Sequence, residues 1–363
     1  MSVYVIAEAG VNHNGDLNRA KQLIDIAVEA KADAVKFQTF ISENEISTFA
    51  EKADYQKQNT GTDGNQLEMV KKLELKFDEF KILQNYCDSK DIEFLSTPFD
   101  FESADFLLDE LKLKTIKIPS GEITNAPFLL HISKFKRKMI ISTGMATLAD
   151  IQIALGVIAF GLINKENILP SISNFEKAYM SEEGQHLLRE YVTLLHCTTE
   201  YPAPVNSVNL KAIPTMNATF NLPIGYSDHT EGLAISLAAV AMGAKIIEKH
   251  ITYDKKAEGP DHLASIEPLE LKELVKNIRQ IEESLGNGVK IPSAIELKNR
   301  SVARKSLVAK REISKNEKFD VENLAIKRPG TGISPLYYWD VQQFSAPKSF
   351  EYDEEIALND CNK

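Results

Sequence analysis

Eight short apolar runs punctuate the first 286 residues, and a longer stretch with helically spaced apolar positions follows each of them. The runs occupy residues 3–8, 34–38, 93–97, 115–119, 139–143, 192–197, 222–226 and 245–250. Several are rich in β-branched residues and nearly unbroken in apolarity, as strands covered on both faces are. The intervening residues 16–29 (DLNRAKQLIDIAVE) set apolar side chains at helical spacing behind an acidic start. Residues 148–159 repeat the pattern after the Gly144-Met145 turn, with Thr147 in a capping position, and residues 232–241 repeat it after His229-Thr230. Strand followed by helix, eight times over, predicts a (β/α)8 TIM barrel in the α/β class. A doubly wound sheet is the competing arrangement. It is disfavoured because no GxGxxG follows the first strand and because eight strands suit closure.

The pattern changes near residue 287. The segment GNGVKIPS, residues 286–293, has the Gly, Asn and Pro content of a linker. Beyond it come a helix-like stretch at 294–304 and short runs at 306–309 and 324–327, with turns at 314–317 and 329–332. The expected organisation is a barrel over 1–286, a linker over 287–293 and a small β-rich domain over 294–363. A unit of that size is marginal alone, so it is expected to dock onto something. The tail beyond residue 340 is acidic and carries no motif.

Composition narrows the function classes. With 43% hydrophobic and 26% charged residues, the 363-residue chain is globular rather than disordered. Its 42 Lys and Arg against 52 Asp and Glu leave a net charge of −10. Such a chain has no overall attraction to nucleic acid or to an anionic membrane, so an anionic substrate needs a local cluster of cations. Cys87, Cys197 and Cys361 lie far apart with no CxxC pair, which excludes a disulfide scaffold and a cysteine-rich zinc module. The start, MSVYVIAEAGVNHNG, lacks the basic segment of a signal peptide, and no apolar run approaches the roughly 20 residues of a membrane span. A cytoplasmic protein is the expectation.

Barrel active sites form where the strands end, and here every strand-like run ends in polar or ionisable residues. The ends carry Glu8, Lys36, Thr97, Lys117 with Ser120 and Glu122, Ser142, His196 with Tyr201, Asp228 with His229, and Glu248 with His250. Lys36 and Lys117 close apolar runs, where a lysine is costly without a counter-charge. With Ser120, Ser142 and the backbone around Gly121 and Gly144 they make a phosphate or carboxylate pocket. The plainer alternative is two snorkelling lysines and two capping serines. His229 and His250 end adjacent runs and are placed to share a divalent metal, with other ligands from water or substrate, unless both are hydrogen-bonded core residues. Glu8 and Glu122 either move a proton or pair with the lysines. Asp261 sits on the loop after the eighth run. His13 reads as a turn cap, His196 as a packed ring and Cys197 as a packed thiol. The charge-rich stretch 267–283 reads as a solvated helix face.

The runs AEAGVNHNGD, ADAVKFQTF, FLSTPFD, KIPSGEI, ISTGMAT, LLHCTTEYPAP, IGYSDHT, IIEKHIT, GPDHLASIEP and KRPGTGISP together resemble bacterial sialic acid synthases, over roughly residues 3–340. That family comprises N-acetylneuraminate synthase and its relatives for legionaminic and pseudaminic acids. The resemblance implies a (β/α)8 barrel followed by a small antifreeze-like (SAF) domain, in a domain-swapped homodimer. It implies condensation of phosphoenolpyruvate with an N-acetylmannosamine-type sugar and water, giving a nine-carbon 2-keto acid and phosphate by C–O cleavage.

It also implies roles. Lys36, Lys117, Ser120 and Ser142 match residues that hold phosphoenolpyruvate. His229 and His250 match ligands of a divalent cation (Mn2+, Mg2+ or Co2+). Glu8, Thr97, Tyr201 and Asp261 match sugar contacts, and Glu122 matches a carboxylate that handles the attacking water. Arg328 matches an arginine delivered from the partner chain. Thr199 departs from an asparagine found near the phosphate in some relatives. The ISP after KRPGTG is unlike pseudaminate synthases, whereas residues 55–74 and GPDHLASIEP look most like N-acetylneuraminate synthases. N-acetylneuraminate is therefore the expected product. The alternatives are a legionaminic acid synthase acting on 2,4-diacetamido-2,4,6-trideoxymannose and a metal-dependent aldolase using free pyruvate.

Overall fold

The computed structural model describes residues 2–52, 57, 65–164, 168–357 and 359, so Cys361 and most of the first half of the 55–74 run lie outside the described residues. Eight parallel strands form one sheet: β1 (Tyr4–Gly10), β2 (Ala34–Thr39), β3 (Glu93–Pro98), β4 (Thr115–Ile118), β5 (Lys138–Ser142), β6 (Val192–Cys197), β7 (Ile224–Asp228) and β8 (Ile246–His250). Their order, β3-β2-β1-β8-β7-β6-β5-β4, wraps the sheet round, and β3 and β4 pack against each other without a ladder between them. The predicted (β/α)8 barrel is the observed fold of this part of the chain.

Period-two alternation explains what each strand contributes. Ile6, Ala34, Leu95, Ile140, Leu195 and Ile246 meet in one buried cluster that fills the barrel. Val5, Ala7, Val35, Phe37, Ile141 and Ile247 belong instead to the larger core between strands and helices. Two residues beyond the inner apolar layer, the same face carries Glu8, Lys36, Thr97, Ser142 and Glu248. The barrel interior thus changes from hydrocarbon to polar groups within one layer.

The helices begin where their caps lie. Asp16 accepts hydrogen bonds from the Asn18 and Arg19 amides at the start of Leu17–Glu29, which buries Ala20, Leu23, Ile24 and Ala27. Thr147 and Asp150 form a capping box on Leu148–Ile163. Two further helices, Ile172–Met180 and Glu182–Tyr191, fill the span between β5 and β6. The seventh strand starts at Ile224 rather than at residue 222, because the helix Ala212–Phe220 ends on Asn221 in the left-handed conformation and Leu222-Pro223 only leads into the strand.

The chain divides into two compact units, Met1–Gly286 and Asn287–Lys363. In the second, β9 (Ser306–Ala309) and β10 (Leu324–Lys327) pair antiparallel over a core that includes Leu307, Ile313, Phe319, Leu324, Phe350 and Ile356. The helix Ala294–Ala303 opens on a Ser293–Glu296 capping box. Among the described residues no helix is long and apolar enough to cross a membrane.

Candidate active site

Strand register sets the level at which side chains meet. Glu8 is opposite Lys36 on β2 and opposite His250 on β8. Ser227 is opposite Glu248. These residues line a cavity of about 300 Å³ at the C-terminal mouth of the barrel, together with Thr97, Lys117, Ser120, Ser142, Tyr201, His229 and Asp261.

Its floor is a buried array of alternating charge. Lys36 Nζ lies 2.7 Å from Glu8 Oε2 and 3.6 Å from Glu248 Oε2, and it donates to Thr97 Oγ1 at 3.0 Å. Lys117 Nζ donates to Glu248 Oε1 at 3.1 Å, and Ser227 Oγ donates to the same oxygen at 2.7 Å. Two ammoniums thus face two carboxylates out of water. Burial works against the charged form of Glu248, but Lys117, Lys36 and Ser227 outweigh it and hold the carboxyl below its usual range. Burial likewise opposes a charged Lys36, and Glu248 and Glu8 outweigh it, so Lys36 keeps its proton. Lys117 is shifted down by burial against the pull of Glu248. Glu8 is pushed up to about 7 by burial, against the pull of Lys36.

Beside this array Ser120 Oγ accepts the Gly144 amide at 3.0 Å and lies 3.2 Å from Cys197 Sγ. A Cβ at residue 144 would stand 2.3 Å from Thr199 Oγ1 and 2.8 Å from Ser120 Oγ, so only glycine permits this approach. Thr199 Oγ1 is buried with no hydrogen-bond partner.

The two histidines adjoin this group, with ring centroids 5.6 Å apart and the Tyr201 ring 4.1 Å from that of His229. His229 Nδ1 is 2.6 Å from the Thr198 carbonyl and so carries the proton, which leaves a lone pair on Nε2, 3.3 Å from Ser227 Oγ. Burial lowers His229 to about 4, and burial with the neighbouring His229 lowers His250 well below the usual range. Both rings are neutral. His250 Nδ1 is a buried atom without a hydrogen-bond partner, and Asp261 Oδ2 lies 3.8 Å from it. Among the described residues no group of three or more His, Cys, Asp or Glu is arranged to hold an ion. Two neutral imidazoles fit a divalent cation whose other ligands are oxygens of water or substrate.

Residues 23–290 match the NeuB family. The chain belongs to that family. It is 52% identical over 352 residues to the N,N'-diacetyllegionaminic acid synthase of Campylobacter jejuni, spanning 97% of this chain and 98% of that one. The N,N'-diacetyllegionaminic acid synthase of Legionella pneumophila is 46% identical over 335 residues, covering 92% and 88%. A crystal structure of N-acetylneuraminic acid (sialic acid) synthetase from Leptospira borgpetersenii in complex with citrate matches with a TM-score of 0.67 at 35% identity, covering 82% of this chain and 90% of that one. This NeuB-family protein is an enzyme, in line with the resemblance drawn from its sequence.

Ten of the twelve residues singled out for the site line the one cavity. Glu122 does not. It sits in the 3-10 turn Ser120–Glu122 just past β4, accepts from Asn125 Nδ2 at 2.6 Å, and is shifted up by burial. Arg328 belongs to the C-terminal unit, where it is exposed. His13 caps its turn, its Nδ1 accepting the Gly15 amide, while His196 Nε2 meets the Val208 carbonyl and Cys197 is a buried thiol.

Glu248, which the sequence marks as a polar strand end without a role, is 3% exposed and joins both lysines. Alternation held the clue, since Glu248 and His250 share one face of β8 while Lys249 takes the other. There Lys249 pairs with Asp228 at 3.0 Å, both wholly buried. Asp228 also accepts from the Thr230 amide, Thr230 Oγ1 and Ser236 Oγ. Removing that carboxylate strands a buried ammonium, so Asp228→Ala is expected to lose about 3–5 kcal/mol of stability. Urea unfolding measures it, and a loss below about 1 kcal/mol, the scale of a surface pair, would contradict the buried pairing.

Proposed function

We propose that this enzyme condenses phosphoenolpyruvate with 2,4-diacetamido-2,4,6-trideoxymannose and water, forming N,N'-diacetyllegionaminic acid and releasing phosphate. The observation that carries the product is the 52% identity, over 97% of the chain, to a legionaminic acid synthase, against 35% to the sialic acid synthetase. The expectation of N-acetylneuraminate rested on residues 55–74 and on GPDHLASIEP. The whole-chain likeness outweighs those two runs.

The chemistry follows from the cavity. Lys36, Lys117, Ser120 and Ser142 hold the phosphate and carboxylate of phosphoenolpyruvate, and Thr199 Oγ1 supplies a further donor. Both lysines already face carboxylates, so the incoming anion must compete. Glu8, near neutrality in its pKa, takes up a proton and frees Lys36 for the substrate. His229 and His250 would hold a divalent cation, which when bound would supply a Lewis acid for the aldehyde of the open-chain sugar. The enolpyruvate C3 attacks that aldehyde carbon, forming the new C–C bond. Water adds to C2 and the C2–O bond to phosphate breaks to leave the ketone, the two protons of that water ending on the former aldehyde oxygen and on the phosphate. Only the sequence resemblance assigns this water to Glu122, which stands just past β4 outside the cavity lining. The lysines stabilise charge on the departing phosphate, and one cavity for both substrates supplies proximity. The proposal extends to a homodimer in which Arg328 serves a second copy of the chain, a reading carried by the KRPGTG run alone.

The test is phosphate release by metal-loaded protein with phosphoenolpyruvate and either sugar. The diacetamido sugar is expected to have a kcat/KM at least about tenfold above that of N-acetylmannosamine, the scale that groups of this size confer. Preference for N-acetylmannosamine would return the product to N-acetylneuraminate. Condensation of free pyruvate without phosphate release would make the protein an aldolase.

A further inference from the structure

The cavity has a side that the proposed chemistry leaves unused. Val11, Phe40, Met69, Val70, Leu73 and Phe99 all line it. Val11, Phe40 and Leu73 form a buried apolar cluster, with Val70 and Phe99 packed against it, and the Phe40 and Phe99 rings meet edge to face at 6.2 Å. These residues follow the polar layer along β1–β3: Val11 comes after Glu8, Phe40 after Lys36, and Phe99 after Thr97. The wall therefore stands beyond the charged floor, on the segments that follow β1, β2 and β3 and on the helix Gln66–Lys71. Phosphate, carboxylate and aldehyde have no use for hydrocarbon.

We infer that this wall selects the sugar, by seating the edge that bears its C6 methyl and C4 acetamido groups. The inference rests on the reading in the preceding section. The two candidate sugars differ only there: the diacetamido trideoxy sugar carries a methyl at C6 and an acetamido group at C4, where N-acetylmannosamine carries hydroxyls. A hydroxyl pressed onto these hydrocarbon side chains forfeits its bonds to water, whereas a methyl group gains by leaving water. The polar C4 acetamido group has Gln38, Glu45 and Gln66 of the same cavity within its surroundings. The wall acts by refusing the more polar sugar as much as by holding the less polar one.

Two substitutions test this on the helix Gln66–Lys71, which has no buried residue and so tolerates change. Val70→Thr swaps a methyl for a hydroxyl at constant shape, and Met69→Gln swaps a thioether for an amide at similar length. Each is expected to lower kcat/KM for the diacetamido sugar by about 10- to 100-fold and to leave N-acetylmannosamine unchanged or improved. The KM for phosphoenolpyruvate and the thermal midpoint should stay at wild-type values. Equal losses with both sugars, or no change in either variant, would overturn the role of the wall. The wild-type preference is read in the same assay. If it favours N-acetylmannosamine, the proposed product falls and the inference falls with it. A wild-type preference for the diacetamido sugar that neither variant shifts sinks the wall alone.

Discussion

Lys36→Met is expected to remove synthase activity and weaken the barrel in the same stroke. The ammonium it deletes lies 2.7 Å from Glu8, 3.6 Å from Glu248 and 3.0 Å from Thr97, all out of water. Two consequences follow from that one position. The phosphate loses a preorganised cation, and a single such donor is worth about 10²- to 10³-fold in rate. Glu8 loses the cation 2.7 Å from it, so its pKa, already about 7 through burial, rises further. It takes up a proton at neutral pH, and at alkaline pH it is left as a buried unpaired carboxylate, a situation that costs about 3–5 kcal/mol. Steady-state phosphate release measures the first and urea unfolding at alkaline pH the second. The double variant Glu8→Gln/Lys36→Met separates them. It should recover much of the stability, because the stranded charge is gone, and none of the activity. Activity returning with the double variant would show that Lys36 matters only as a partner for Glu8.

His250→Ala should strip most of the affinity for a divalent cation while leaving the fold intact. The protein offers two imidazoles, and among the described residues no third His, Cys, Asp or Glu completes a cluster. Losing one leaves a single side-chain ligand. Since disturbing a mere supporting contact costs 10- to 100-fold in affinity, loss of a ligand is expected to exceed about 100-fold. Equilibrium dialysis with Mn2+ reads this without recourse to turnover, and chelation of the wild type should abolish phosphate release until metal is restored. The His250 ring is neutral and its Nδ1 has no hydrogen-bond partner, so its removal breaks no internal bond through that atom. Unchanged Mn2+ binding in the variant would show that the cation, if used, sits elsewhere.

Much of the architecture was legible because it is local. The apolar runs could be counted, and their ends agree with the strands to within a residue or two. Asp16 and Thr147 cap helices at the positions where an acidic or hydroxyl side chain precedes helical spacing. Polar residues at the strand ends marked the mouth, since a barrel puts those ends together whatever their sequence separation. Glu248 is legible as a polar strand end but its role is not, because that role lies in its neighbours. Lys117 is 131 residues away from it, and no pattern along the chain says that the two touch. The same holds for the apolar wall, whose members come from three loops and a short helix and look like ordinary core residues one at a time.

The sequence by itself determined which segments become strands, which face of each turns inward, and that the inward face becomes polar at its C-terminal end. Those properties depend on alternation within a few residues. Only the tertiary structure decided the charge pairing of the floor, the neutral state of the two histidines and the division of the cavity into charged, imidazole and apolar sides. Register does this: it sets Glu8 level with Lys36 and His250, and Ser227 level with Glu248. Burial then fixes what each group is worth, because Coulomb energy and desolvation depend on distance through space and on exclusion of water. Neither quantity is written in the order of residues along the chain.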